Sequence, residues 1–375
     1  METGKNQSYN RSKNNHLVLN YLRDHGMASA TTLAAALNLS NAALSSILKN
    51  LVEKGFIKES AKHSVRGKGR KQVDYTLNDR SCLMALMNIQ LGSYHIELAN
   101  VKEEILVDEI FEVDHYDGKT LESMMNELDR LTHLKEYESI PLKLIIVSAP
   151  GKVDVKEQIV HSFVLNHPAY QGREWLEEIE KRFPTSKVMV GNILSFAMRG
   201  EVQYGLAKNK GAAILISNES TIWGSIAVDK RVFVGEDGYA GDFGAIPVMF
   251  NGSCQPLASF ASVRALEKHF GFDSFDEFVK GYQEKEEIKS YVLSTATISG
   301  LLYYSAARLL DITTVILTGN AVKFGDEYIS SIRKPFEYAD FKVNVMVSKL
   351  NKDAIALGAF YVGVSSLLEA QSQIE

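Results

Sequence analysis

Cysteine is almost missing: Cys82 and Cys254 are the only two in 375 residues. They stand 172 positions apart, and neither sits in the paired CxxC spacing of a zinc or redox motif. That excludes a disulfide-stapled scaffold and points to a reduced, cytoplasmic setting. Proline is scarce too, at 7 residues beside 26 glycines, so the chain is neither fibrous nor of low complexity. No apolar run approaches the ~18–20 residues that span a bilayer. The polar opening METGKNQSYNRSKNN also lacks the apolar stretch of a signal peptide, so neither secretion nor membrane insertion is expected. What is present is ordinary: 45% apolar and 23% charged residues, in a length that predicts two or three folded domains at ~100–200 residues each.

Charge is distributed unevenly. The first 80 residues hold 13 Lys and Arg against 6 Asp and Glu, a net of +7, while the remaining 295 hold 28 against 40, a net of −12. A basic head on an acidic body suggests a polyanionic partner for the head alone. Within it, Leu17, Val18 and Tyr21 fall at helical spacing between Ser12 and Leu22, and His25-Gly26 ends that helix. Ser29 or Thr31 can cap a second helix carrying Leu33, Ala34 and Leu37. Asn38-Leu39-Ser40 then turns into a third helix with Leu44, Ile47, Leu48, Leu51 and Val52 on one face, stopped by Gly55.

This is helix-turn-helix spacing. The opposite face of the third helix carries Asn41, Ala42, Ser45, Ser46 and Lys49, small and polar groups near its positive N-terminal end. Such a face is either simply solvated or the part that meets base edges and phosphates. A following hairpin favours the second reading: Phe56–Glu59 and Val73–Leu77 flank a loop holding Lys62, Arg66, Lys68, Arg70 and Lys71. Gly67 and Gly69 allow close backbone approach to a phosphate, and the cations supply sequence-independent affinity. Residues 1–80 therefore read as a winged-helix domain for double-stranded DNA.

Beyond residue 80 the period changes. Strand-like segments LMALMNIQL, YHIELAN and EEILVDEIFEV precede a helix over 121–134, a buried strand KLIIVSA, and alternating helices and strands to Tyr204. A second series starts at Ala212 with AAILISN, TIWGSIAV and RVFVG. Helices over 259–269, 275–282 and 286–310, a strand TTVILTG and a helix over 352–368 follow. The economical architecture is two α/β lobes, 81–205 and 206–375, enclosing a cleft, with the C-terminal helix able to return to the first lobe.

Short motifs recur in a set order: Gly67-Lys68-Gly69-Arg70-Lys71 in the wing, Val147-Ser148-Ala149-Pro150-Gly151-Lys152-Val153-Asp154, Gly191-Asn192 with Glu201 and Gly205, Gly235 and Gly238. Ala240-Gly241-Asp242-Phe243-Gly244, Leu317-Thr318-Gly319-Asn320 and Asp353-Ala354 with Gly358-Ala359 complete the series. In that order they resemble the ROK family, named for repressors, open reading frames and kinases, in its winged-helix transcriptional-regulator branch. The resemblance implies an actin-like, sugar-kinase-like body behind the winged helix. It also places the departures. The family kinases' catalytic Asp, after Asn, is Ile193 here, which takes no proton. Their first phosphate loop corresponds to Asn88-Ile89-Gln90-Leu91-Gly92, and their second to Ser220-Thr221-Ile222-Trp223-Gly224, where bulky side chains replace glycines. The sugar-binding Glu-x-Gly-His corresponds to Asp242-Phe243-Gly244-Ala245. The Cys-rich zinc segment contracts to Asn251-Gly252-Ser253-Cys254-Gln255-Pro256, one thiol where tetrahedral zinc takes four ligands.

The expectation is a transcriptional regulator, a repressor rather than an activator, that binds an operator as a homodimer or higher oligomer. It uses no catalytic residue, cofactor or metal, His161 and His167 being too scattered to pair with Cys254. A sugar-like effector would meet Gly151, Asn192 and Asp242, although Asn and Asp serve equally as caps and turn residues. The alternatives are a low-activity carbohydrate kinase with an attached DNA-binding domain and a regulator controlled without a small ligand.

Overall fold

The computed structural model describes residues 7–63, 72–154, 156–162, 164–337 and 340–372. The head runs α1 (Gln7–His25), β1 (Met27–Ser29), α2 (Ala30–Leu37), α3 (Asn41–Glu53), β2 (Ile57–His63) and β3 (Gln72–Leu77). Its small sheet has the order β1-β3-β2, with all pairs antiparallel. On α1 the buried stripe is Asn15, Val18, Leu19 and Leu22, with Leu17 exposed and Tyr21 half-buried. The polar Asn15 starts that i, i+3, i+4, i+7 pattern, which is why apolar spacing alone sets the face off by one residue. Leu33, Leu44, Ile47, Leu48 and Leu51 are buried as expected.

The body begins with β4 (Leu83–Gln90), β5 (Ser93–Asn100), β6 (Ile105–Glu112), α4 (Gly118–Thr132) and β7 (Leu142–Ala149). Next come a small hairpin of β8 (Lys152–Asp154) and β9 (Ile159–His161), α5 (Glu174–Arg182), β10 (Lys187–Asn192) and α6 (Ile193–Gln203). The second series is β11 (Ala212–Asn218), β12 (Ile222–Val228), β13 (Arg231–Phe233), β14 (Pro247–Phe250), β15 (Ser253–Pro256), α7 (Ala258–Ala261), α8 (Val263–Phe270), α9 (Phe275–Glu284) and α10 (Glu286–Leu309). It closes with β16 (Thr314–Thr318), α11 (Asp326–Glu337), β17 (Asn344–Val347) and α12 (Asp353–Ser372).

The two five-stranded sheets share one plan. Their orders are β10-β7-β4-β5-β6 and β13-β12-β11-β16-β17: each opens with a three-strand antiparallel meander whose first strand is central, and two later strands extend its other side. In the second sheet those later strands run parallel to β11. The repetition is one of topology, which a search for short sequence repeats does not reveal.

Packing divides the chain into two compact units that interleave along the sequence: the chain up to Val147 with His167–Val190 and the chain from Phe360, and Ser148–Asn166 with Gly191–Ala359. The aromatic core of the second unit gathers Phe243, Phe278, Tyr282, Tyr303, Phe324 and Tyr328. One helix expected over 259–269 is two, because Ser262 ends α7 and caps α8, its Oγ accepting the Ala265 N–H at 3.2 Å. In α12, the Asp353–Ala370 segment is long and apolar enough to cross a membrane, yet half of it is buried in the protein. Gly363 shows why: a Cβ there would press on Ile146, Leu144 and Met84, so this is the core helix against the β4–β7 face.

Candidate functional site

The head presents its third helix through a series of local caps. Ser29 Oγ accepts the Thr32 N–H at 3.1 Å to start α2, and Asn38, in the left-handed conformation at φ 53°, returns its N–H to Ala34 O to end it. Ser40 Oγ then accepts the Ala43 N–H at 3.3 Å and starts α3. With Leu44, Ile47, Leu48 and Leu51 turned into the core, Asn41, Ala42, Ser45, Ser46 and Lys49 are all exposed. Lys49 pairs with Glu53, at 3.8 Å on its own helix, with both side chains well solvated. Such a pair is worth ~0.5 kcal/mol or less and yields readily to a phosphate.

The wing cations Arg66, Lys68, Arg70 and Lys71 lie outside the described residues. The stem that carries them is described: β2 and β3 pair up to His63↔Gln72, with a register shift between Glu59 and Lys62. Thr76 Oγ1 donates to Gly26 O at 2.7 Å and Asn78 Nδ2 to Gly55 O at 2.8 Å, fastening the hairpin to the helices. Lys58 pairs with Asp79 and holds that carboxyl below its ordinary range.

The structure joins Gly151 to Asn192. Asn192 Oδ1 accepts the N–H groups of Leu194 and Ser195 at 2.8 and 3.0 Å, capping α6, and its Nδ2 donates to Gly151 O at 2.5 Å. Gly151 has φ +95°, and a Cβ there would collide with His161 O, so glycine is required. Asp242 also caps, its carboxylate accepting the Ala245 N–H at 3.1 Å to start a short 3-10 turn. Burial pushes its pKa up. The loop leading to Asp242 lies beside β8: the Lys152 ammonium sits 4.6 Å from the centre of the Tyr239 ring. What Asn192 and Asp242 retain for a ligand is one amide hydrogen and one carboxylate oxygen.

The positions that the resemblance sets against the kinases' base and phosphate loops lie in packed surroundings. Ile193 is the first residue of α6. Asn88 is buried at 2% exposure, with no hydrogen-bond partner for Oδ1 among the described residues. Ile222 is buried, Trp223 lies 6.5 Å from Tyr239 between ring centres, and Phe243 meets Tyr303 edge-on at 5.5 Å. Sequence reasoning missed Glu219, in the turn between β11 and β12. It keeps solvent contact, but the surrounding protein pushes its carboxyl pKa up while Lys323 pulls it down. A Cβ at Gly319 would stand 3.0 Å from its Cγ.

Aromatic packing supports the β14–β15 hairpin. Met249 faces Cys254 across the strands, and Phe250 stacks on Phe260 at 4.1 Å with Tyr291 edge-on at 6.0 Å. Cys254 is a free, exposed thiol. Glu201 is fully buried, its carboxylate accepting hydrogen bonds from Ser348 Oγ and from Leu206 N, and Gly205 leaves the room this carboxylate needs. A second contact gave no sequence signal: Arg23 of α1 donates to Ser365 Oγ at 2.8 Å and lies over the Tyr361 ring at 4.7 Å, tying the head to α12.

Comparison with known proteins agrees with this architecture. The xylose repressor of Caldicellulosiruptor bescii is 21% identical, covering 95% of this chain and 96% of its own. The crystal structure of a ROK family transcriptional regulator, a homologue of the E. coli MLC protein, superposes with a TM-score of 0.78 at 18% identity, over 97% of this chain and 98% of that one. The ROK hexokinase of Thermus thermophilus superposes with a TM-score of 0.62 at 18% identity, over 76% of this chain and 99% of its own. The fold is thus a winged helix followed by a sugar-kinase-like α/β body. Residues 12–64 match the MarR family and residues 86–364 the ROK family, and on the second match, which spans most of its length, the chain belongs to the ROK family.

Proposed function

We propose that the protein is a DNA-binding transcriptional repressor whose kinase-like body serves oligomerisation and effector sensing rather than catalysis. The observation that carries this is the exposed face of α3, with Asn41, Ala42, Ser45, Ser46 and Lys49 set on a capped helix-turn-helix in a head of net charge +7. Residues 1–80 are then the DNA-binding module, and 81–205 and 206–375 the two lobes. A single helix-turn-helix reads a short half-site, so the operator is a twofold-symmetric duplex and the active form a homodimer. A DNA partner places the protein in the cytoplasm. The name of the xylose repressor relative supports a sugar or sugar derivative as effector, held near Gly151, Asn192 and Asp242. Ile193, Trp223 and Glu219 argue against the enzymatic reading, a low-activity carbohydrate kinase, which the hexokinase-like fold would otherwise favour.

The test is selection of bound duplexes from a random library, followed by anisotropy titrations across a salt series. Neutralising Arg66, Lys68, Arg70 and Lys71 should weaken binding and flatten the log–log salt slope by roughly 0.9 per lost phosphate contact. Asn41→Ala and Ser45→Ala should relax sequence preference by about 1–3 kcal/mol at the affected base pairs. A library that yields no preferred duplex overturns the proposal.

A further inference from the structure

Two buried groups on β5 have no place in the repressor reading. His95 and Glu97 lie two residues apart on one face of the strand, at 8% and 5% exposure, and the register sets Asp108 of β6 directly opposite Glu97. One ligand atom from each of the three falls within 4.8 Å of those of the others, and His95 Nδ1 is 3.8 Å from an Asp108 oxygen. The second observation is independent. Asn88 of β4 pairs in register with His95, so its side chain shares that face, and its buried Oδ1 has no hydrogen-bond partner among the described residues.

We propose that His95, Glu97 and Asp108 bind a divalent first-row transition-metal ion, and that Asn88 Oδ1 accepts a hydrogen bond from a water on that ion. One imidazole with two carboxylates, and no thiolate, selects the Mn²⁺-to-Zn²⁺ series over soft Cu(I). Bonds of about 2.0–2.2 Å place neighbouring donors about 3–3.5 Å apart, so closure takes side-chain movements of about 1 Å. The exposed carboxylate of Asp108 gives the entry path, since the other two ligands are buried. Linear spacing gives no sign of this site, which exists only through strand pairing, and the expectation of no metal missed it. It stands apart from the DNA-binding reading and can fail or hold without it.

The experiment uses the full-length, tag-free protein stripped with EDTA and dialysed against Zn²⁺ or Mn²⁺, with bound metal counted by mass spectrometry and affinity measured by competition with a chromophoric chelator. The wild type should retain one ion per chain with at least one of the two metals. His95→Gln and Asp108→Asn should each weaken binding at least about tenfold, and Asn88→Ala several-fold with the stoichiometry kept. His115→Gln, at an exposed His–Asp pair elsewhere, should change nothing. Circular dichroism checks folding, and if His95→Gln fails it, the exposed Asp108→Asn decides. Absence of stoichiometric metal, or equal binding by Asp108→Asn and wild type, overturns the site; an unchanged Asn88→Ala removes the proposed water contact.

Discussion

Asn192 and Asp242 show how far single residues can be read. Their types and positions are legible in the sequence, but a helix cap and a polyol contact draw on the same oxygen atoms, so only the fold tells which bonds are already made. Both cap, Asn192 for α6 and Asp242 for the 3-10 turn. For Asp242 this has a pH consequence. Its pKa is raised in the folded protein, so the folded state binds the proton more tightly than the unfolded one. Stability therefore declines as pH rises from below the unfolded carboxyl value of ~3.9 through the folded one, and the penalty persists at neutral pH. Asp242→Asn keeps an oxygen for the Ala245 N–H and removes the charge. Urea titrations should find the variant more stable than wild type at pH 7, with the gap closing towards pH 3. A pH-independent gap would mean that the carboxyl pays no burial cost.

At the scale of elements, the proposed lack of kinase activity rests largely on the turn between β11 and β12. Its strands were readable because AAILISN and TIWGSIAV are long apolar runs, and Ala212–Asn218 and Ile222–Val228 are indeed strands. The turn's chemistry was readable only in part: Ile222 and Trp223 in place of glycines were visible, whereas the crowding of Glu219 beside Gly319 and Lys323 depends on β16 lying next to β11. On the proposed reading, the departures from kinase chemistry are thus spread over more than one element. Ile193→Asp alone should leave ATP-dependent sugar phosphorylation at background in a coupled assay over a hexose and amino-sugar panel, because a restored base has no phosphate loop to act with. Robust turnover by this variant would show that the turn still admits a nucleotide. Elsewhere the misread elements were those fixed by tertiary context: the α7–α8 break at Ser262, and the buried face of α1 that begins with Asn15.

Across the whole molecule, the contact least visible in the sequence is that of Arg23 with α12, made across 342 positions. Its guanidinium also meets Asp24 at 3.0 Å and the Tyr361 ring, so one side chain links the DNA-binding head to the helix that covers the first sheet. Arg23→Ala should cost about 1–3 kcal/mol, from a charged hydrogen bond and a cation–π contact, and lower operator affinity several-fold while leaving the circular dichroism spectrum unchanged. Equal melting and equal affinity would make the contact incidental. The same helix governs the order in which the molecule can be finished. The β4–β7 face that receives Gly363 is synthesised first, whereas the segment that covers it leaves the ribosome roughly 200 residues later. Met84, Leu144 and Ile146 thus stay uncovered through most of translation, so the unit that begins first is completed last, and a nascent chain halted before Phe360 presents a sticky sheet to the cell's chaperones.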